Sequence, residues 1–380
     1  MILALALLSL AVWLVLVFAR GFFWLARERD DRDLPPAPTA WPAVTAVVPA
    51  RDEADVIARS IGSLLRQDYP GPFRVILVDD RSTDGTAAAA RAAAETAGAA
   101  DRLTILTGTP TPPGWAGKPW AMSQGAEHAG PTPDFLLFTD ADIGHAPDTL
   151  RHLVARAVTE RRVLVSLMAR LHCATPAERL LIPAFVFFFA MLNPFGWVNR
   201  GRAAAAAGGV MLVRRDALEA AGGIAAIRAE IIDDCALARR LATQGPIWLG
   251  LTDRALSLRP YGGIAEIGRM VSRSAYAQLR YSPWLLAGTV LGMVLTYLLP
   301  PALILFASGW PRLAGMAAWL LMAVAFIPML RFYRTSPLWG LALPMIGAAY
   351  TWFTVASALQ VWRGRGGMWK GRAQALAGRA

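Results

Sequence analysis

The chain has 380 residues, of which 55% are hydrophobic, and a formal net charge of +11. This composition excludes an ordinary soluble protein and predicts that part of the chain lies in a membrane. No Asp or Glu follows Glu266, whereas residues 267–380 hold eleven Lys or Arg, which equals the whole net charge. The pattern favours a charge-balanced domain followed by a basic membrane region over a nucleic-acid binder. Cys173 and Cys235 have neither metal-ligand nor disulfide spacing.

The N-terminal stretch predicts a retained membrane anchor over residues 1–25. Met1 to Ala19 is almost entirely apolar, and Arg20, Arg27 and Arg29 follow it. No basic start or small-residue cleavage site marks a signal peptide. Because the positive charges come after the apolar run, the N-terminus is expected outside and the following residues in the cytoplasm. Residues 26–43, which include a Pro-Pro-Ala-Pro stretch, are expected to form a linker.

From Val44, short apolar runs alternate with helix-like runs. This alternation predicts right-handed βαβ units and a mostly parallel sheet, whose functional site lies at the carboxyl ends of the strands. The predicted elements are strands at 44–48, 74–78, 103–106 and 135–138, and helices at 53–66, 86–97 and 118–129.

Three polar loops are expected to meet at one edge of this sheet. The first is Pro49-Ala-Arg-Asp-Glu53, and the second runs from Asp79 to Thr86. The third holds Asp140 and Asp142, which follow the apolar run of the last predicted strand with i, i+2 spacing and therefore lie on one face. Carboxylates placed in this way suit a hard divalent cation that completes its shell with water and substrate phosphates.

Each loop also has a simpler structural interpretation. Asp140 and Asp142 could end a strand or cap the next helix, and Asp84 could be only a helix cap. Lys118, which follows a glycine at a predicted helix start, could contact a diphosphate or be a solvated lysine.

Two downstream segments carry further predictions. Leu180 to Trp197 is apolar and includes Phe187-Phe-Phe189, so residues 180–197 are expected to lie in the membrane interface, with a core helix as the alternative. Asp233 and Asp234 open a predicted helix, where carboxylates also act as caps.

The chain closes with three apolar segments, 284–307, 313–330 and 338–362, and a basic tail over residues 363–380. Three full crossings would place the tail outside, whereas its Lys and Arg residues favour the inside. We therefore expect one segment to be re-entrant or tilted, with the first favoured because Pro300-Pro301 interrupts it. The tryptophans near the segment ends are expected to form an interfacial belt; they are Trp284, Trp310, Trp339 and Trp362.

These motifs resemble family 2 glycosyltransferases of the GT-A (nucleotide-diphospho-sugar transferase) fold. The likeness rests on the first two loops, on Gly117-Lys118 with Ala121 and Gly125, and on Thr139-Asp-Ala-Asp142, and it extends over most of residues 44–280. With the membrane segments and the Trp369-Lys-Gly-Arg372 tail, the chain is most similar to the bacterial hopanoid-biosynthesis-associated members. The resemblance implies a GT-A domain over residues 44–283 with transmembrane helices at both ends, the C-terminal ones within 284–362.

The resemblance also implies roles for individual residues. Pro49, Glu53 and Asp80 would surround the base and ribose of a nucleotide-sugar, a UDP-sugar by this likeness. Asp140 and Asp142 would bridge to its diphosphate through Mg²⁺ or Mn²⁺. Asp233-Asp234 takes the place of the Glu-Asp pair of the family, which makes Asp234 the general base. The Gln278-Leu-Arg-Tyr281 stretch matches the Gln-x-x-Arg-Trp motif imperfectly and makes Arg280 a candidate phosphate or acceptor contact.

The expected function is metal-dependent, inverting transfer of a hexose from a nucleotide-sugar to a lipid hydroxyl, as in hopanoid or other membrane glycolipid biosynthesis. The expected location is the bacterial inner membrane, in a multi-pass arrangement with the catalytic domain in the cytoplasm. Polysaccharide or cell-wall glycosyl transfer is one alternative, and a catalytically inactive scaffold on the same fold is another. Transport is disfavoured because the apolar segments hold almost no ionisable residues.

Overall fold

The computed structural model describes residues 1–364, together with the backbone of the paired strands Met368–Trp369 and Arg372–Ala373. The rest of the predicted basic tail, including Lys370 and Arg379, lies outside the described residues. The chain forms two compact units. We call residues 28–172 and 197–260 the sheet unit, and residues 1–27, 173–196 and 261–364 the helical unit.

The described strands and helices follow the chain in this order. The strands are β1 (Val44–Ala50), β2 (Phe73–Asp79), β3 (Leu103–Thr107), β4 (Phe135–Thr139), β5 (Ile143–His145), β6 (Leu164–Arg170), β7 (Val210–Arg214) and β8 (Ile247–Ser257). The α-helices are α1 (Ile2–Phe18), α2 (Ile57–Leu65), α3 (Thr86–Thr96), α4 (Gly117–His128), α5 (Thr149–Thr159), α6 (Pro176–Leu192), α7 (Phe195–Asn199), α8 (Arg215–Ala220), α9 (Asp233–Leu241), α10 (Ile264–Ser272), α11 (Ala275–Gln278), α12 (Pro283–Met293), α13 (Leu299–Phe306), α14 (Trp310–Phe332) and α15 (Leu343–Trp362).

The sheet unit contains one eight-stranded, mostly parallel sheet. Its strand order is β3-β2-β1-β4-β7-β6-β8-β5, with β7 antiparallel to both of its neighbours. Every residue of β1 and β4 is buried, as expected for central strands covered on both faces. All four predicted strands and three predicted helices in the first half of the sheet are confirmed, with shifts of only a few residues at their ends. The GT-A-like α/β fold expected from the sequence is therefore present.

Helix α4 packs very closely against the sheet. A Cβ added to Gly125 would overlap Val47 Cγ1 of β1 and would lie 3.0 Å from Val78 Cγ2 of β2. Glycine is therefore required for the close approach of the helix and not for an unusual backbone conformation. This contact fixes the depth of α4 over the carboxyl ends of β1 and β2, and with it the position of Lys118 at the start of the helix.

The first residues of the predicted linker are fixed on the sheet. The Leu251 N–H of β8 donates to the Glu28 carbonyl (2.9 Å), and the Asp30 N–H donates to the Leu251 carbonyl (3.0 Å). The buried Asp30 carboxyl accepts from Thr252 Oγ1 (2.6 Å) and lies 3.4 Å from Arg254 Nη1. Backbone pairing and an ion pair to the buried Asp30 therefore hold this stretch against β8, although its composition predicts a flexible linker.

The helical unit differs from the sequence prediction in the placement of α6. Phe187 and Phe188 are buried, at ring-centroid distances of 5.1 Å from Phe326 and 4.9 Å from Tyr350 respectively. Phe187 and Phe188 therefore form part of the core of this unit and do not present the lipid-facing surface that the sequence suggested. The stretch 261–283, predicted to end the catalytic domain, also belongs to the helical unit.

Three helical stretches of this unit are long and apolar enough to cross a membrane: Pro283–Phe306, Trp310–Phe332 and Pro337–Trp362. Pro300-Pro301 does not break the first of them. A π-helical turn at Val294–Leu298 precedes the prolines, and the helix continues to Phe306. Such a turn leaves carbonyls without their usual helical donors. Ser9 Oγ donates to Leu295 O (2.8 Å) and Trp13 Nε1 donates to Thr296 O (2.8 Å), so α1 stabilises the turn.

We predict that Gly125→Ala lowers the melting temperature of the purified protein. Relative to glycine, alanine stabilises a helix interior by about 1 kcal/mol, but overpacking a tight core site lowers the stability of the fold by about 1–3 kcal/mol. Gly292→Ala, also in a helix, is the matched control because an added Cβ there has no atom within 4 Å. Equal melting temperatures for the two variants would show that α4 moves away from the sheet without penalty.

Candidate functional site

Hydrogen bonds join the first two polar loops directly. Backbone N–H groups of the first loop donate to side chains of the second: Asp52 N to Ser82 Oγ (2.9 Å), Glu53 N to Thr86 Oγ1 (2.8 Å) and Ala54 N to Asp84 Oδ2 (2.9 Å). The predicted meeting of these loops at the carboxyl ends of β1 and β2 is thus confirmed. Polar side chains at the start of α3 hold the two loops in a fixed relation.

The residues expected around a nucleotide lie at this edge. Pro49 is within β1 and pairs in register with Val78 of β2. Asp80 is buried, and Arg51 Nη1 lies 3.4 Å from its Oδ2 and donates to its carbonyl (2.7 Å). Asp84 accepts from the N–H and hydroxyl of Thr86 (3.0 and 2.6 Å) as well as from the Ala54 N–H, so its carboxylate joins the start of α3 to the first loop.

Each aspartate of the Asp140/Asp142 pair has its own cationic partner. Lys118 Nζ lies 2.8 Å from Asp140 Oδ1, and Arg259 Nε lies 3.8 Å from Asp142 Oδ2. The pair follows β4 and is succeeded directly by β5, which excludes the alternative that it caps a helix. Burial and then the charges of Asp140 and Glu53 raise the pKa of Asp142, against the opposing effect of Arg259. A carboxyl with this pKa shift would gain from a nearby cation.

Lys118 also reaches the second carboxylate pair. Its Nζ lies 3.3 Å from Asp233 Oδ2, so one ammonium lies between Asp140 and Asp233. Burial disfavours the charged lysine, but the carboxylates of Asp140 and Asp233 more than offset this and raise its pKa. The lysine is therefore charged and paired on both sides, unlike the solvated lysine considered as an alternative.

Asp234 is held in one orientation at the start of α9. Its Oδ2 accepts from the Gly208 N–H (2.8 Å) and its Oδ1 from the Cys235 N–H (2.7 Å). A Cβ on Gly208 would lie 3.2 Å from Lys118 Nζ and 3.3 Å from Asp234 Oδ2, so this glycine lets the backbone approach both groups. Burial and then the neighbouring Asp233 raise the pKa of Asp234 to about 6, and Lys118 opposes the shift. Each oxygen keeps a free lone pair that can accept a proton.

Sequence reasoning missed Arg259, which contacts three of the carboxylates near the site. Its guanidinium pairs with Glu53, lies 3.5 Å from Asp55 Oδ2 and reaches Asp142. Arg259 lies two residues after the end of β8, so the rule that placed the other loops at strand ends could have found it. It carried no motif, however, and the strand itself was not predicted.

Arg280 differs from the other predicted site residues because it does not belong to the sheet unit. It lies in the helical unit after α11, in a left-handed conformation with φ of 51°. The cluster of Lys118, Arg259 and their carboxylates forms within the sheet unit without it.

The donor set fits a divalent ion held jointly with a diphosphate. Lys118 and Arg259 contribute positive charge among several nearby carboxylates; these are Glu53, Asp55, Asp140, Asp142, Asp233 and Asp234. Within the described residues, no three His, Cys, Asp or Glu side chains converge as a complete metal site. Asp140 and Asp142 supply hard oxygen ligands, and Mg²⁺ commonly binds through one or two carboxylates with substrate phosphates and water.

We predict that Arg259→Gln tightens Mn²⁺ binding in the absence of nucleotide, because the guanidinium competes with the ion for Asp142. A partly exposed ion pair contributes about 0.2–1 kcal/mol, so we expect roughly a two- to fivefold lower Kd, measured by electron paramagnetic resonance titration. Arg240→Gln, at an exposed arginine on α9, is the matched control. Weaker Mn²⁺ binding in Arg259→Gln would show instead that the arginine organises the ion site.

The glycosyl transferase family 2 model matches residues 45–222. Among solved structures, the chain is similar to the mannosyltransferase PcManGT from Pyrobaculum calidifontis in complex with GDP-Man and Mn²⁺. The two share 25% identity over 96% of this chain and 99% of that chain, with a TM-score of 0.59.

Two further structures are more distant and add no argument about function. TarS 1–349 from S. aureus in complex with UDP-GlcNAc has 14% identity over 89% of this chain and 98% of that chain (TM-score 0.42). Glucosyl-3-phosphoglycerate synthase from M. tuberculosis in complex with Mg²⁺ and uridine-diphosphate has 20% identity over 63% of this chain and 79% of that chain (TM-score 0.41). No curated protein sequence matches the chain.

The family model covers seven of the eight strands of the sheet, and the similarity to PcManGT extends over 96% of the chain. Residues 45–222 therefore resemble a family 2 glycosyltransferase domain, and the sheet unit has a GT-A-like fold.

Proposed function

We propose that this protein is a membrane-bound, inverting glycosyltransferase that moves a sugar from a nucleotide-sugar to the hydroxyl of a membrane lipid. The observation that carries the proposal is the position of Lys118 between two carboxylate pairs, Asp140/Asp142 after β4 and Asp233/Asp234 at the start of α9, in a chain whose residues 45–222 match the family 2 model. One pair suits a metal-bound diphosphate, and the other suits removal of a proton from an acceptor.

The donor side is proposed to use the first two loops and the metal aspartates. Pro49, Glu53 and Asp80 lie at the edge where the base and ribose would bind. Asp140 and Asp142 would hold Mg²⁺ or Mn²⁺, which supplies stabilisation of the negative charge on the departing diphosphate. The similar mannosyltransferase was solved in complex with GDP-Man and Mn²⁺. GDP-sugars are therefore candidate donors in addition to the UDP-sugars that the motifs suggest.

Lys118 and Arg259 are proposed to supply fixed positive charge beside the diphosphate. Lys118 Nζ is 2.8 Å from Asp140, and Arg259 is within 4 Å of Asp142. Cations placed in advance at a site where charge develops require little rearrangement during the reaction. Asp233, whose Oδ2 faces Lys118, would keep the lysine in this place, and so would act as a positioning residue.

Asp234 is proposed as the general base in a single displacement. It takes the proton of the acceptor hydroxyl as the acceptor oxygen bonds to the anomeric carbon, while the bond from that carbon to the diphosphate breaks. The two backbone donors at Gly208 and Cys235 fix its orientation. Its raised pKa, about 6, makes it a stronger base than an ordinary carboxylate while leaving it ionised at neutral pH.

The acceptor is proposed to be a lipid, such as a hopanoid or another polycyclic or long-chain alcohol. Support comes from the three apolar helices on the same chain and from the exposed apolar side chains on them. We place the protein in the bacterial inner membrane, with the sheet unit on the cytoplasmic side where nucleotide-sugars are available.

We predict that Asp234→Asn cuts turnover by roughly 100-fold or more, with donor affinity little changed, because amide nitrogen and oxygen cannot take up the proton. In wild type at saturating metal and donor, the rate should fall as the pH drops through about 6, since Asp234 then becomes protonated beside Asp233 and Lys118. The residual rate of the variant should lack this acidic limb. Wild-type turnover in Asp234→Asn would place the base elsewhere.

The function itself is tested by incubating purified protein with Mn²⁺, a panel of UDP- and GDP-sugars and total bacterial lipid extract, followed by mass spectrometry. We expect a solvent-extractable lipid carrying one or a few sugars, absent with Asp234→Asn. A high-molecular-weight polymer would indicate polysaccharide synthesis. Donor binding without product under any acceptor would indicate an inactive scaffold.

A further inference from the structure

The apolar helices of the helical unit do not simply alternate in direction along the chain. Pro283–Phe306 and α14 form an antiparallel pair joined by only three residues, 307–309. A Cβ on Gly315 would lie 2.8 Å from Leu303 Cβ and 2.9 Å from Pro300 O, so the start of α14 packs against the end of the preceding helix. The end of α14, at Phe332, therefore points back toward the level at which α12 begins.

Helix α15 is also antiparallel to Pro283–Phe306. A Cβ on Gly347 would lie 2.8 Å from Tyr297 Cβ, whereas Ala358 packs in one cluster with Leu286. As the chain advances from 347 to 358, its partner moves back from 297 to 286. Because α14 and α15 are both antiparallel to the same helix, they run in the same direction.

Two consecutive helices can run in the same direction only if the connection between them returns along the bundle. Residues 333–342 make this return. A Cβ on Gly340 would lie 2.8 Å from the Ala323 carbonyl, and Trp319 Nε1 donates to Leu341 O (3.1 Å). Ala323 lies nine residues before Phe332, so the chain has come back about 14 Å along α14 at 1.5 Å per residue.

Helix α1 follows the direction of α14. Ala6 packs with Leu303, and Trp13 donates to Thr296 O, so α1 is antiparallel to Pro283–Phe306 and ends toward the level of α12. The arginines that flank the apolar helices are then unequally distributed between the two ends of the helical unit. Only Arg312 lies at the start of α14; the opposite end carries Arg20, Arg280, Arg331, Arg334 and Arg363 among the described residues.

We propose that Pro337–Trp362 is not a third alternating crossing. Instead, residues 333–362 form a re-entrant hairpin that enters and leaves the membrane at the same surface, with 333–342 as its first limb and α15 as its second. Residues 282, 336 and 364 then face one surface, which the arginine distribution marks as cytoplasmic. The segment that departs from simple crossing is thus the third, not the first that the sequence favoured. The inference rests on the proposed membrane location but not on catalysis.

The test is thiol labelling of single cysteines in a Cys173→Ser, Cys235→Ser background of the full chain. Cysteine is placed at Ser308, Ser336 or Trp362, with Gln244→Cys in the sheet unit as the cytoplasmic reference. A reagent that does not cross the inner membrane is applied to spheroplasts and to inverted vesicles. We expect Ser308→Cys to label in spheroplasts, and the other three to label only in inverted vesicles.

Labelling of Ser336→Cys and Trp362→Cys from opposite sides would overturn the proposal, because three alternating crossings require that result. An epitope tag after Ala380 gives a second readout in otherwise unaltered protein, and its digestion by protease in intact spheroplasts would also contradict the hairpin. Labelling of Ser308→Cys from the same side as Gln244→Cys would refute membrane insertion itself. None of these outcomes depends on transferase activity, so a failed assay for glycolipid leaves the test intact.

Discussion

The arrangement of the site depends on one charged contact, the Lys118 ammonium held between Asp140 and Asp233. The Lys118 side chain is largely removed from solvent, and a cation in such a place is stabilised by pairing with carboxylates. Removal of the lysine would leave acids from the two halves of the site facing each other. The position of this ammonium also depends on packing, since Gly125 lets α4 approach the sheet and Gly208 lets the backbone lie close to both Lys118 and Asp234.

The sequence predicted the parallel half of the sheet well, because its central strands are short apolar runs with polar loops at their carboxyl ends. The rule that parallel strand ends meet at one edge then predicts that Glu53, Asp80 and Asp140 lie near one another. The same rule could not supply Arg259. Its importance comes from long-range contacts with Glu53 and Asp142, and a single arginine before a proline has no local pattern that reports such contacts.

The helical unit shows a different limit of sequence reasoning. Hydropathy measures the length and apolar character of a segment but not its direction, so parallel α14 and α15 could not be recognised from it. Likewise, an apolar run such as Phe187-Phe188 looks the same whether it faces lipid or a protein core. Here ring contacts with Phe326 and Tyr350 place these side chains inside the unit. The π-helical turn before Pro300-Pro301 also depends on partners distant in sequence, Ser9 and Trp13.

The central claim is that Asp140 and Asp142 form a metal-dependent site for the diphosphate of a nucleotide-sugar. It is tested most directly by calorimetric titration of UDP and GDP into wild type and Asp142→Asn, each with and without Mn²⁺. The account predicts that Mn²⁺ strengthens nucleotide binding in wild type and that Asp142→Asn loses this gain, because one of two charged oxygen ligands is removed. The same Mn²⁺-dependent affinity in both proteins would contradict the assignment of the site.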